Sequence, residues 1–218
     1  MSNPIEKFWS IRLEDAKQVL EKNNFEVFVA DSLTDAKAVF DEKIMPSLGG
    51  VQTVSFGGSA TVTSTGVTDA VRANDELILV DPYEKGLSKE EQYERRRQGL
   101  LVDLFITSTN AVTACGKLVN LDGTCNRVAA INFGPKNVVL FIGRNKLVET
   151  LEDAMHRVKD YAAPVNAMRL ERKTPCASTG HCMDCSSPYR ICNAWAITEK
   201  SFPAKRIKIV LINEDCGF

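Results

Sequence analysis

Apolar positions along this chain follow two rhythms, a helical one and a short strand-like one, and the two alternate. Ile5, Phe8, Trp9, Leu13, Ala16 and Leu20 fall on one side of a helix that Asn3-Pro4 opens and Asn23-Asn24 closes. Residues 25–29 alternate as a strand. Ser32 and Asp35 then form a capping-box pattern ahead of Leu33, Ala36, Val39 and Phe40, with Pro46 and Gly49-Gly50 as stops. A strand at 51–56 runs into a helix carrying Val62, Val67, Ala70 and Val71 inward, and the run Leu77-Ile78-Leu79-Val80 ends at Asp81-Pro82. A helix is expected from Ser88 to Leu100, then strands at 104–106, 118–119 and 138–142. Leu147, Val148, Leu151, Ala154, Met155, Val158 and Tyr161 predict a long amphipathic helix opening at Gly143-Arg144-Asn145 and ending at Pro164. Residues 207–212 give a last strand. The alternation predicts an α/β fold, a mostly parallel sheet with helices on both faces, whose ligands bind beyond the carboxyl ends of strands.

Composition narrows the class. The 218 residues hold 27 basic and 28 acidic side chains, so no nucleic-acid partner is indicated. No apolar run is long enough for a membrane span, and the polar N-terminal residues lack the core of a secretory signal. A cytoplasmic location is expected.

The stretch 103–144 places small polar residues between strand-like runs, as a ligand-facing loop on a rigid sheet requires. Gly57, Gly58, Ser59 and Thr61 stand between a strand and a helix start, where unpaired amides and hydroxyls suit an anion. The competing reading is a plain helix cap at Ser59. This loop lacks the lysine of a P-loop and the third glycine of a dinucleotide fingerprint, so neither ATP nor NAD is indicated. Asn110 and Asn126 can donate and accept, Asp122 can accept a substrate hydroxyl or serve as catalytic base, and Arg127 can grip a carboxylate or phosphate. Alternatively, Asp122 and Arg127 pair with each other and brace the loop. Arg95-Arg96-Arg97 point in different directions on their helix, so at most one should reach a ligand or carboxylate.

Seven cysteines are present, and Cys176, Cys182, Cys185 and Cys192 crowd together as C-x5-C-x2-C-x6-C. In a cytosolic chain that pattern points to one metal centre held by four thiolates. The uneven spacing suits a [4Fe–4S] cluster, with structural zinc as the alternative. Cys115, Cys125 and Cys216 are isolated and expected to be packing residues; neither Cys115 nor Cys125 has a histidine partner visible in sequence.

Together Gly57-Gly58-Ser59-Ala60-Thr61, residues 103–111, residues 116–123, Asn126-Arg127-Val128-Ala129, Phe133-Gly134-Pro135-Lys136 and Gly143-Arg144-Asn145-Lys146 resemble the LUD (lactate utilization) domain family. The likeness continues through residues 163–167, the cysteine segment and Gly217-Phe218. It implies a fold similar to sugar-phosphate isomerases and CoA transferases, and a link to lactate oxidation within iron–sulfur systems that include a redox partner subunit. Its compact cysteine group marks this chain as resembling a stand-alone subgroup. Residues 1–168 are then the LUD-type α/β domain, and 169–218 a cysteine-rich segment and final strand packing on the same domain. Three functions are in play: an iron–sulfur protein of small-carboxylate metabolism, a non-redox binding or regulatory protein with a zinc clip, and an enzyme on a phosphorylated or CoA-linked substrate.

Overall fold

The Asn3 side chain accepts a hydrogen bond from the Ile5 amide and caps α1 (Pro4–Lys22), with Pro4 at the first turn where its missing N–H costs nothing. The computed structural model describes residues 3–218; Met1 and Ser2, the start of the polar N-terminus, lie outside the described residues. Leu13, Ala16 and Leu20 are buried as expected, but Ile5 and Phe8 are more than half exposed, so the inward face of α1 begins only at Leu13. β1 (Glu26–Ala30) leads to α2 (Leu33–Val39), capped by Ser32 through the Asp35 amide.

Pro46 does not stop this helix outright. A π turn at Phe40–Ile44 intervenes, and α3 (Met45–Ser47) carries Pro46 in its first turn. The wider turn accommodates the proline ring and its missing N–H without unfolding the helix. β2 (Thr53–Phe56), α4 (Ala60–Ser64), α5 (Val67–Arg72), β3 (Ile78–Val80) and α6 (Lys89–Gln98) follow. The last starts with a full capping box between Ser88 and Glu91. Then come β4 (Leu104–Thr107), β5 (Ala111–Thr113), β6 (Leu118–Asp122), α7 (Asn126–Asn132) and β7 (Asn137–Gly143).

The long helix expected from residue 145 is divided. After β7 a 3-10 turn at Arg144–Lys146 leads into β8 (Leu147–Val148), and only then does α8 (Leu151–His156) begin, at a Thr150–Asp153 capping box. Leu147 and Val148 keep helical spacing yet pair with Val112 and Thr113, so strand pairing outweighs periodicity there. Nor does Pro164 end the helix. A π turn at Arg157–Ala162 precedes it, and α9 (Ala163–Arg169) continues beyond, the same accommodation as at Pro46. α10 (Pro175–Thr179), β9 (Ala194–Thr198) and β10 (Ile207–Ile212) complete the chain.

Six strands form a fully parallel sheet in the order β1-β10-β7-β4-β2-β3, with helices on both faces. Alternate residues of β7 serve opposite cores: Val138, Leu140 and Ile142 pack with Leu13 and Leu20, while Val139 and Phe141 pack with Phe40 and Val62. Burial on both faces explains the unbroken apolar run of this strand. A second sheet, β8-β5-β6-β9, grows from the end of β4 and covers α8 through Val119, Leu121, Ala154 and Val158.

Candidate functional site

β2, β4 and β7 are three strands of the large sheet, with β4 between the other two, and their carboxyl ends deliver three loops to one place. The loop after β2 brings Gly57 to Thr61, that after β4 brings Ser108 to Asn110, and that after β7 brings Lys146. They meet in a cleft of about 220 Å³. Gly58, Ser59, Thr61, Asn110, Asp122, Asn126 and Arg127, all nominated from sequence, line it. Gly57 borders an adjoining cavity instead. It is required for packing: a Cβ there would lie 2.4 Å from Thr107 Oγ1.

Local chemistry divides these residues by role. Ser59 Oγ accepts from the Val62 amide (3.2 Å), so the capping role holds for Ser59. Arg127 is the best-anchored group. Its terminal nitrogens donate to Ser108 O (3.1 Å), Asn120 Oδ1 (2.5 Å), Asn110 Oδ1 (2.9 Å) and Leu121 O (3.0 Å). Those bonds tie the end of β4, β6 and α7 together. Asp122 Oδ2 accepts from the Arg127 and Val128 amides, both at 3.1 Å, and stands 3.8 Å from Arg127 Nε. Its other oxygen takes no protein hydrogen bond among the described residues, and neither does the side chain of Asn126.

Lys146, absent from the sequence nominations, is 3% exposed. Its Nζ donates to Thr61 Oγ1 (2.9 Å), Ser108 Oγ (3.0 Å) and Thr109 O (3.2 Å). All three acceptors are neutral. Burial first, then the nearby Arg157 and Arg127, pull this amine down to about 7, with Cys216 opposing.

Three more cations were missed: Arg96, Arg169 and Arg172. Arg96 lies over the Tyr83 ring, 6.0 Å from its centroid. Its neighbours Arg95 and Arg97 bind Glu84 and Glu94, so two of the three consecutive arginines reach carboxylates rather than at most one. Arg169 bonds Asn166 Oδ1, and Arg172 has no carboxylate partner among the described residues. Against these three, together with Arg127 and Lys146, the cleft sets one acidic side chain, Asp122.

The cysteine segment forms one wall. Ile191 and Arg172 line the cleft, Asn193 donates from its amide to Asp122 O (2.8 Å) and from Nδ2 to Gly123 O (3.0 Å). Gly123 is pressed so closely on Ile191 that a Cβ would lie 3.0 Å from the Ile191 Cα. Cys176, Cys182, Cys185 and Cys192 are free and partly buried. Burial raises the Cys192 thiol, Arg190 and Lys159 lower it, and Cys182 and Cys185 push it up further, so these three thiols share one neighbourhood. Arg190 braces the loop through Cys185 O and Cys192 O. Cys176 sits in α10 beside the Thr174 hydroxyl. Among the described residues no three His, Cys, Asp or Glu stand in metal-binding geometry. Four thiols on one irregular segment fit a thiolate-held group in donor chemistry, without being drawn together. Cys115 is exposed, Cys216 buried, and Cys125 precedes α7 with a left-handed φ of 69°. Burial pushes the Cys216 thiol up to about 11.

No helix is long and apolar enough to cross a membrane. A family model, the LUD domain, matches residues 13–212. Among solved structures, a DUF162 family protein from Deinococcus radiodurans, determined at 1.70 Å, is similar, with a TM-score of 0.51 and 10% identity over 94% of this chain and 98% of that one. At that identity the likeness concerns the fold. Among curated proteins, none matches the chain.

Proposed function

The chain belongs to the LUD (lactate utilization) domain family, and from that premise we propose that it binds a small organic anion in the cleft and holds a [4Fe–4S] cluster on the adjoining wall, in lactate-type carboxylate redox metabolism. The charge of the cleft carries this reading: Arg96, Arg127, Lys146, Arg169 and Arg172 line one space whose single acidic side chain is Asp122. An anion relieves that repulsion. Arg127 is consumed by protein acceptors, so Arg96, Arg169 and Arg172 are the groups that take the ligand's charge, and Asn126 and the free oxygen of Asp122 take its hydroxyl. A cavity of about 220 Å³ suits a lactate-sized molecule better than a CoA thioester, since drug-sized ligands occupy about 300–1,000 Å³.

Cys176, Cys182, Cys185 and Cys192 would hold the cluster, whose contribution when bound is one-electron transfer. Burial raises the Cys192 thiol, and Arg190 and Lys159 beside it oppose that rise. Because Ile191 touches the cleft and Cys192 follows it, the two functions share a wall. Calorimetric titration with lactate, pyruvate, a sugar phosphate and CoA tests the anion site: small anions should bind, and no binding by any of them would overturn it. Metal analysis with a visible spectrum on anaerobically prepared protein tests the cluster. Thiolate-to-iron absorption is expected, and colourless protein carrying zinc would overturn the redox assignment.

A further inference from the structure

We propose that Lys146 is a nucleophilic amine that forms an imine with an anionic carbonyl compound, a ketone or aldehyde bearing a carboxylate or phosphate, held in the cleft. This rests on the anion-binding reading of the same cleft and adds a covalent step to it. The argument begins from an oddity of placement. A lysine is seldom buried without a carboxylate, because its charge loses water and gains no counter-ion. Here Nζ meets only two hydroxyls and one carbonyl oxygen. Among the described residues no ion pair includes Lys146; the pair within the cleft joins Asp122 to Arg127. Arg157 and Arg127, cations like itself, both act against its charge, and Arg127 grips the carbonyl of Ser108 while Lys146 holds the hydroxyl of that same residue. Desolvation beside another cation is the setting in which a lysine becomes a nucleophile rather than a structural ammonium. Its amine pulled down to about 7 agrees with that setting.

Access and proton handling are both provided. Lys146, Thr61 and Ser108 all line the cleft, so a ligand entering it meets the amine and its two hydroxyl partners together. When Nζ loses its proton it keeps two of the three hydrogen bonds and frees a lone pair. That pair attacks the carbonyl carbon and forms the C–N bond as the C=O π bond breaks, and one of the two protons on nitrogen passes to the former carbonyl oxygen through the Ser108 or Thr61 hydroxyl, giving a carbinolamine. The second nitrogen proton follows the same relay to the carbinolamine hydroxyl, the C–O bond breaks, water leaves and C=N forms. One water is released and no electrons are exchanged. The ligand's negative group faces Arg96, Arg169 and Arg172, which hold it while Lys146 reaches the carbonyl.

Reductive trapping tests the step. The full-length protein is incubated with pyruvate in one arm and dihydroxyacetone phosphate in another, each with borohydride as hydride donor, and the modified peptide is mapped by mass spectrometry. Calorimetry is run in parallel on the same ligands. A reduced adduct confined to the Lys146 peptide, absent from Lys146→Arg, is expected, and the arm that labels tells carboxylate from phosphate. A ligand that binds in calorimetry yet leaves Lys146 unlabelled, or labels exposed Lys22 equally, overturns the imine while leaving the anion cleft intact. Absence of binding in both arms overturns the cleft and the imine together. Lys146→Met serves as a second unlabelled control, since its apolar chain can occupy the same space if the arginine variant folds poorly.

Discussion

Arg127→Lys separates two roles that one guanidinium can play. In the structure its two terminal nitrogens satisfy four oxygens on three elements: Ser108 O after β4, Asn110 Oδ1 before β5, and Asn120 Oδ1 and Leu121 O on β6. Lysine keeps the charge but presents its donors from one atom and cannot span them. At least two acceptors are left unpaired in a region where the side chain is only 13% exposed. Each unpaired buried group costs about 1–3 kcal/mol, so the variant should lose about 2–6 kcal/mol. For a chain of this size that is a fall in melting temperature of roughly 5–20 °C. Thermal melts of both proteins, with and without saturating anion, provide the assay. A bracing role predicts the lower melting temperature and, in the protein still folded, anion affinity close to that of the parent. An unchanged melting temperature with weakened binding would refute the reasoning, because it would mean that the four contacts contribute nothing and that the ligand was Arg127's true partner.

Four further outcomes follow from other sites. Arg172→Ala should weaken anion binding with little change in melting temperature, as expected for an exposed cation without a carboxylate partner; equal binding would remove it from the site. Gly57→Ala should destabilise by about 1–3 kcal/mol, the cost of forcing a methyl into Thr107 and the Arg127 stem in a packed site, read by denaturant unfolding. Lys146 is depressed to about 7 from an ordinary 10.5, so between those values the unfolded chain binds a proton that the folded one does not. Parent stability should therefore rise with pH across that window relative to Lys146→Met, and parallel pH profiles would contradict the burial of its charge. The Cys182→Ser/Cys185→Ser double variant should lose metal measured by elemental analysis after anaerobic preparation, whereas full occupancy would dismiss the four-thiolate centre.

Much of the fold was legible because its signals are local. Caps at Asn3, Ser32 and Ser88 are short-range hydrogen bonds whose residue types announce them. The two-sided burial of β7 shows in its unbroken apolar run. The errors arise where distant partners decide. Leu147 and Val148 satisfy a helical period and a strand equally, and β5 settles the matter by pairing with them. Pro46 and Pro164 are breakers by local chemistry, yet each follows a π turn that lets the helical path continue. The second sheet was not foreseen, since β5, β8 and β9 are too short or too mixed in pattern to stand out.

The candidate site was legible in its loops and illegible in its charges, for a reason that lies in helix and strand geometry. Glycine, asparagine and hydroxyl residues advertise themselves because they sit together in sequence. Cations at 96, 127, 146, 169 and 172 come from five separate elements or turns, and only the folded chain brings them to one cleft. Among Arg95, Arg96 and Arg97, successive residues turn by about 100° around the helix, so one necessarily faces differently from its neighbours. Which one depends on how α6 lies, and its acidic neighbours claim the other two: Glu84 takes Arg95 and Glu94 takes Arg97, leaving Arg96 over Tyr83 at the cleft. Lys146 was hidden more deeply. Read as the start of a helix it belongs to a polar first turn in solvent; the 3-10 turn that ends β7 instead drives it inward, onto Thr61 and Ser108. The 3-10 turn that interrupts the helical period is thus the same feature that carries Lys146 into the cleft.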